Sequence, residues 1–174
     1  MIRLETVIRN VPDFPKPGIQ FKDITPILQD PTLCKLVVQE MAENCIQTQP
    51  DAIAGIESRG FLFGMMLAQQ LSLPFVPIRK AGKLPWMTHK YKYNLEYGSA
   101  EIEVHTDAIK PGARVLIHDD LLATGGTALA ASNLIKALEG NVCGFSFVVE
   151  LAGLQGRLLL EKDSTFVNSL ISYL

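Results

Sequence analysis

The spacing of apolar and polar positions along this chain changes period several times, and each change marks an element. Residues 51–56 (DAIAGI) form a short apolar run, 58–60 turn, and 60–71 read as a helix. Residues 74–79 read as the next strand, and that strand–turn–helix–strand order predicts parallel pairing. Further on, 114–119 reads as a strand and 127–138 as a helix with Ala131, Leu134, Ile135 and Leu138 on one face. Gly140 is placed to stop that helix. Residues 142–150 (VCGFSFVVE) are almost continuously apolar, as a strand covered on both faces requires. Nearer the start, Asp30-Pro31 reads as an N-cap followed by a first-turn proline. Leu33, Leu36, Val37, Met41 and Cys45 then follow at helical spacing.

Two stretches break this pattern. Residues 10–26 hold Pro12, Pro15, Pro17 and Pro26 interleaved with Phe14, Ile19, Phe21 and Ile24, which predicts an ordered irregular arm. In 93–106, Ile102 and Val104 alternate with Glu101, Glu103 and His105, and Tyr97-Gly98-Ser99 offers a turn. That predicts an antiparallel hairpin with one wet face. The expected fold class is α/β, with a mostly parallel central sheet flanked by helices. At 174 residues the chain fits one domain with a core that needs no disulfide or metal staple.

Composition narrows the partners. A net charge of −2 gives no bulk electrostatic footprint for nucleic acid or an anionic membrane, so any phosphate site must be local. No run approaches the roughly 18 apolar residues of a membrane span, and the first ten residues hold no long apolar stretch of a leader. Cys34, Cys45 and Cys143 are widely spaced, form no CxxC pair and read as buried free thiols. The expected location is the cytoplasm.

The chemistry concentrates in 114–127, RVLIHDDLLATGGT. An apolar strand runs into Asp119 and Asp120, and Ala123-Thr124-Gly125-Gly126-Thr127 then opens a helix. Glycines let successive amides converge on an anion, and the helix start adds its positive dipole end. Thr124 and Thr127 can donate hydroxyls to the same phosphate. Acids at the carboxyl end of a parallel strand stand where ligands bind in open α/β sheets. GxGxxG is absent, which argues against a dinucleotide site. No GKT or GKS follows the glycines, which argues against a nucleotide-triphosphate loop.

This run resembles the phosphoribosyl pyrophosphate motif of the type I phosphoribosyltransferases. Four more segments are similar to the adenine-using branch of that family, in its order: FPKPGIQFKDITPIL (14–28), AGIESRGFLFG (54–64), IRKAGKLP (78–85) and LEYGSAEIEVHTDAIKPG (95–112). The resemblance implies the type I fold, with residues 1–30 an arm hooding the base pocket and the hairpin a flap. It implies transfer of phosphoribose from phosphoribosyl pyrophosphate to adenine, giving AMP and pyrophosphate. It further implies a homodimer and Mg2+ carried mainly on substrate oxygens, with Asp119 and Asp120 at most touching it through water.

By the same resemblance, Asp119 and Asp120 hold the ribose and Ala123, Thr124, Gly125, Gly126 and Thr127 the 5-phosphate. Glu57, Ser58 and Arg59 form the pyrophosphate loop, through a peptide that is often cis in the family. Arg79, Lys80, Lys83 and Tyr97 also serve the pyrophosphate. Gln20, Phe21, Lys22, Ala123 and Leu154 border the base, and Glu96 reaches its imidazole edge. Two departures stand out: Trp86 follows GKLP where relatives mostly carry glycine or a polar residue, and Lys22 stands where many carry arginine. Two other functions stay open from sequence. One is transfer to a 6-oxopurine. The other is a non-catalytic sensor of the same donor, although sensors usually bring a nucleic-acid-binding extension or a basic face.

Overall fold

The structure, a computed structural model, describes residues 4–14, 17–18, 20–94 and 99–174. Its sheet has seven strands in the order β5-β6-β4-β3-β7-β8-β9. These are β3 (Ala52–Ile56), β4 (Phe75–Lys80), β5 (Thr88–Asn94), β6 (Ser99–His105), β7 (Arg114–Leu122), β8 (Asn141–Leu151) and β9 (Val167–Tyr173). The pairs β4/β3, β3/β7, β7/β8 and β8/β9 are parallel, and the β5–β6 hairpin joins β4 antiparallel. The helices are α1 (Thr25–Leu28), α2 (Pro31–Cys45), α3 (Gly60–Leu71), α4 (Gly126–Ala137) and α5 (Gly156–Leu160).

Both sheet faces are covered, which is why the central strands read as unbroken apolar runs. Val115, Ile117, Phe145 and Phe147 pack under α4, through Ala131, Leu134 and Ile135. Their neighbours Leu116 and Val148 point the other way, under Val37 and Met41 of α2 and Phe63 and Leu67 of α3. Burying a side chain of that size contributes about 1.5–3 kcal/mol.

Helix α2 starts as its sequence demands. The Asp30 carboxylate accepts the Thr32 and Leu33 amides at 2.8 and 3.3 Å, and Pro31 occupies the first turn. Asp30→Ala is expected to cost about 1 kcal/mol, read as a lower midpoint in urea with an unchanged slope.

Four local expectations are corrected. The arm is not irregular: β1 (Arg9–Pro12) and β2 (Gln20–Asp23) pair antiparallel, and α1 follows around Pro26. Leu36 faces solvent, whereas Leu33, Val37, Met41 and Cys45 are buried as expected and are joined there by Cys34 and Val38. Gly140 is not the left-handed residue ending α4. Glu139 takes that conformation (φ 60°), and Gly140 is small because a Cβ there would lie 2.4 Å from Ile109. The hairpin's polar face is not wet at Glu103. That side chain is buried, because the loop from Ala81 to Met87 folds onto it.

Candidate active site

Helices α3 and α4 lie on opposite faces of the sheet, yet both start from adjacent strands. The chain leaves β3 toward β4 and leaves β7 toward β8, in opposite directions across the sheet. The boundary between β3 and β7 is therefore the switch point of an open α/β sheet, where a crevice forms at the carboxyl ends of the strands. A cleft of about 250 Å³ opens there, lined by Glu57, Ser58, Arg59, Lys80, Asp119 and Asp120.

β7 runs past the acids to Leu122, whereas its pairing with β3 ends at Gly55–His118. Asp119 and Asp120 thus belong to the strand but project beyond the edge of β3. Gly60, the first residue of α3, permits this closeness: a Cβ there would lie 2.9 Å from Asp119 Oδ1 and 3.0 Å from its Cα. Asp119 Oδ1 accepts the Asp120 amide at 2.9 Å, and Arg59 Nε donates to Asp120 Oδ2 at 2.6 Å. Burial, with the neighbouring Asp120 charge, pushes the Asp119 carboxyl well above the usual carboxylate range. The Asp120 amide and Arg59 offset only part of this.

That displacement has a stability consequence. An acid whose folded pKa is raised holds its proton more tightly folded than unfolded, so rising pH favours the unfolded chain across the interval between the two values. The ligand-free protein therefore loses stability from Asp119 as pH climbs above the ordinary carboxylate range. Asp119→Asn keeps the acceptor for the Asp120 amide and removes the charge. It is expected to melt higher than wild type at neutral pH, by on the order of 1–2 kcal/mol, with a flatter pH dependence of melting temperature. A lower melting temperature at all pH values would refute this.

The second wall is built around a carboxylate. The nearly buried Glu57 side chain accepts Lys83 Nζ at 2.6 Å, the Lys80 amide at 3.0 Å and Arg79 Nε at 3.2 Å. Burial pushes its carboxyl up, but these donors outweigh it and hold the group below its ordinary value. Glu57, expected among the pyrophosphate contacts, is placed as the anchor that gathers the cations. The Glu57–Ser58 peptide is cis. Glu103 was not anticipated, since it looked like exposed hairpin decoration. It accepts the Lys83 and Leu84 amides at 2.8 and 2.9 Å and the Thr88 hydroxyl at 3.1 Å, which pins the loop carrying Lys83. In that loop Trp86 is 65% exposed with φ 73°.

On the other side, Ala123, Thr124 and Gly125 link β7 to α4. Gly125 has φ 82°, a left-handed conformation that favours glycine. Thr127 Oγ1 lies 3.1 Å from the Tyr93 hydroxyl. The loop is braced from behind by Gly156, which sequence reading missed because a glycine about thirty places from the motif carries no local signal. A Cβ on Gly156 would sit 2.2 Å from the Ala123 carbonyl oxygen. Arg157 holds that segment in place: its Nε reaches both Glu150 carboxylate oxygens, at 3.0 and 3.2 Å, and Nη1 donates to the Val167 carbonyl.

The arm approaches the same cleft. Phe21 meets Phe14 edge-on at 5.1 Å between ring centroids, and the Arg59 guanidinium lies 5.1 Å from the Phe21 ring. Arg59 therefore touches both the arm and the acid pair. Gln20 accepts from Asn10 at 3.2 Å. Lys22 donates to Asn10 at 3.2 Å and lies over the Tyr173 ring at 3.9 Å, so it ties the arm to the last strand. Leu154 is half exposed in the turn after β8. Glu96 and Tyr97 lie outside the described residues.

An acid pair, a glycine loop at a helix start and a facing cluster of cations define a site for a phosphorylated sugar carrying further phosphates. Residues 26–172 match the family model described as the phosphoribosyl transferase domain, and the chain belongs to that family. It is 52% identical over 170 residues to an adenine phosphoribosyltransferase of Cytophaga hutchinsonii, covering 98% of this chain and 94% of that one. The adenine phosphoribosyltransferase structure from Thermoanaerobacter pseudethanolicus superposes with a TM-score of 0.94 at 46% identity, covering 98% of both chains. A Saccharomyces cerevisiae adenine phosphoribosyltransferase, crystallised with an imino-altritol bisphosphate and adenine, superposes with a TM-score of 0.89 at 42% identity, over 96% of each. Within the family, the chain is a member of the adenine phosphoribosyltransferases.

Proposed function

We propose that this enzyme transfers the 5-phosphoribosyl group from phosphoribosyl pyrophosphate to adenine, releasing pyrophosphate and forming AMP. The observation that carries this reading is the pairing of Asp119 and Asp120 with the Gly125 loop on one side and the Glu57-gathered cations on the other. The 5-phosphate takes the Ala123–Thr127 amides and hydroxyls, the ribose hydroxyls take the acids, and the pyrophosphate meets Arg59, Lys80, Lys83 and Arg79 with the Ser58 amide. By the family resemblance, Tyr97 is proposed as a further pyrophosphate contact and Glu96 as a base contact.

Displacement at the anomeric carbon develops positive charge on the ribose, as other glycosyl transfers do. Asp119 and Asp120 hold the ring where that charge grows, while the cations receive charge accumulating on the leaving group. Phe21 supplies a flat face for the purine, with Gln20, Ala123 and Leu154 at its border. The two hard carboxylates at the cleft suit Mg2+ that is held chiefly by substrate oxygens. When bound, Mg2+ would neutralise charge on the pyrophosphate.

Exposed apolar side chains at Leu62 and Met65 of α3 and at Trp86 and Met87 support the homodimer that the resemblance implies. The free thiols of Cys34, Cys45 and Cys143 fit the reducing cytoplasm. Among the described residues no helix is long and apolar enough to cross a membrane.

The deciding assay offers purified protein the donor with adenine, hypoxanthine, guanine or orotate, with and without Mg2+. AMP formation from adenine, dependent on Mg2+, is the expected result. A folded sample that makes none rejects the reading, and preference for hypoxanthine or guanine would move it to the 6-oxopurine branch, which the relatives' names do not favour.

A further inference from the structure

The arm is rooted at one end only. β1 and β2 form a ribbon of their own, outside the seven-stranded sheet. Arg9 is in register with Asp23 at one end of it and Pro12 with Gln20 at the other. Ile8 and Ile24, which flank the Arg9–Asp23 end, are buried in the core. From that root the ribbon projects as a bare pair of strands, and such a pair is marginal in water unless it packs on something. Successive residues of a strand point to opposite faces, so Phe21 and Lys22 leave β2 on different sides. On one side the Phe21 ring lies 5.1 Å from the Arg59 guanidinium, at the cleft. On the other, Lys22 reaches β9, the edge strand of the sheet.

The Lys22 ammonium stands 3.9 Å from the centroid of the Tyr173 ring, within the roughly 6 Å at which a cation and an aromatic face attract. Both residues are partly buried, which weakens the competition from water. The same ammonium donates to Asn10, its register partner on β1, at 3.2 Å, and Asn10 in turn donates to Gln20. One contact with Tyr173 therefore steadies both strands of the ribbon. Tyr173 is also fixed to a second segment. It ends β9 in register with Leu151, the last residue of β8. The chain runs from Leu151 directly into the turn 152–154 that carries Leu154. The Leu174 carbonyl carbon, next after Tyr173, lies 3.9 Å from where a Cβ would stand on Gly153 of that turn. The arm and this turn are thus joined at one residue.

We propose that Tyr173 is a positioning residue for the acceptor base. Through Lys22 it holds the arm that presents Phe21, and through Leu151 it holds the turn that presents Leu154. The inference rests on the transferase reading, in which those two segments border adenine. Lys22 is accordingly assigned as a tether of the arm.

Tyr173→Leu keeps an apolar side chain on β9 and removes the aromatic face, whereas Tyr173→Phe keeps the face. In Tyr173→Leu, KM for adenine should rise on the order of threefold to tenfold, with kcat and KM for phosphoribosyl pyrophosphate near wild type. Tyr173→Phe should behave as wild type. Hydrogen exchange of the β1 and β2 amides, measured on ligand-free protein, should be faster in Tyr173→Leu and unchanged in Tyr173→Phe. In a Lys22→Met background, Tyr173→Leu should add nothing to either readout, because the two residues act as a pair. Arm exchange equal to wild type in Tyr173→Leu overturns the proposal, and so does a loosened arm with an unmoved KM for adenine. Should Tyr173→Leu fail to fold, Lys22→Met alone must speed exchange in the arm, and an unchanged arm overturns the proposal in the same way. A wild-type sample that makes no AMP refutes the transferase reading itself. Arm exchange needs no substrate, so it still decides whether Tyr173 docks the arm.

Discussion

Asp120→Asn is expected to reduce turnover by on the order of 10²–10³-fold while leaving the fold in place. The side chain is 3% exposed and shares a 2.6 Å ion pair with Arg59. Asparagine has the same shape and keeps one acceptor oxygen, so the backbone of β7 has no reason to move. In the proposed role it removes the negative charge beside the ribose as that ring becomes cation-like, and it halves the acceptors offered to the ribose hydroxyls. Arg59 loses its partner, but its side chain is 48% exposed and can turn to water, so the cost in stability stays modest, about 1 kcal/mol or less. The loss should appear in kcat more than in KM for adenine, because the group acts on the donor. The measurement is steady-state AMP formation alongside a thermal melt. Turnover like that of wild type would remove Asp120 from the reaction. A collapsed melting temperature would make the residue structural instead.

How much of this site was readable before folding depends on how local its causes are. The acid pair and the glycine loop sit within nine residues of one another, Asp119 to Thr127, and their chemistry follows from strand, acids, glycines and helix in that order. The α3 start at Gly60 and the Asp30 cap were equally legible, since each depends on residues next to it. What escaped were interactions between distant segments. Glu103 alternates with apolar neighbours as a solvent-facing residue would. Only the return of the loop bearing Lys83 and Leu84 buries it and supplies amides for its carboxylate. Arg59 was assigned to pyrophosphate by resemblance, but its contacts with Phe21 and Asp120 follow from how the arm folds over the sheet. Periodicity found four of the five buried positions it named on α2 and missed at Leu36, whose exposure is set by packing on β8 and β9, not by hydrophobicity. The arm's prolines suggested irregularity. Pro12, at the end of β1 in an isolated two-stranded ribbon, is tolerated because an edge strand can forgo a donor.

Gly156→Ala is expected to damage donor binding from a position that touches no substrate. The added methyl would meet the Ala123 oxygen at 2.2 Å, the Gly125 nitrogen at 2.9 Å and the Thr124 carbonyl carbon at 2.9 Å. All three are backbone atoms of the phosphate loop, so no side-chain rotation relieves the contact. Nor can the loop meet it by adjusting at Gly125, where a Cβ would already stand 2.9 Å from the Gly156 oxygen. The loop must shift, and a displacement near 1 Å of a positioning group costs about 10²-fold in catalytic efficiency. With Ala123–Thr127 proposed to hold the 5-phosphate, the expected loss falls on KM for phosphoribosyl pyrophosphate, with KM for adenine much less affected. Overpacking should also lower stability by about 1–3 kcal/mol. Gly153→Ala, in the same turn, is the control: its methyl would find only the Leu174 carbonyl carbon, at an ordinary 3.9 Å, so both constants and the melt should match wild type. If Gly156→Ala instead binds the donor normally and melts normally, the phosphate loop is not braced by this segment, and its geometry must be set from α4 alone.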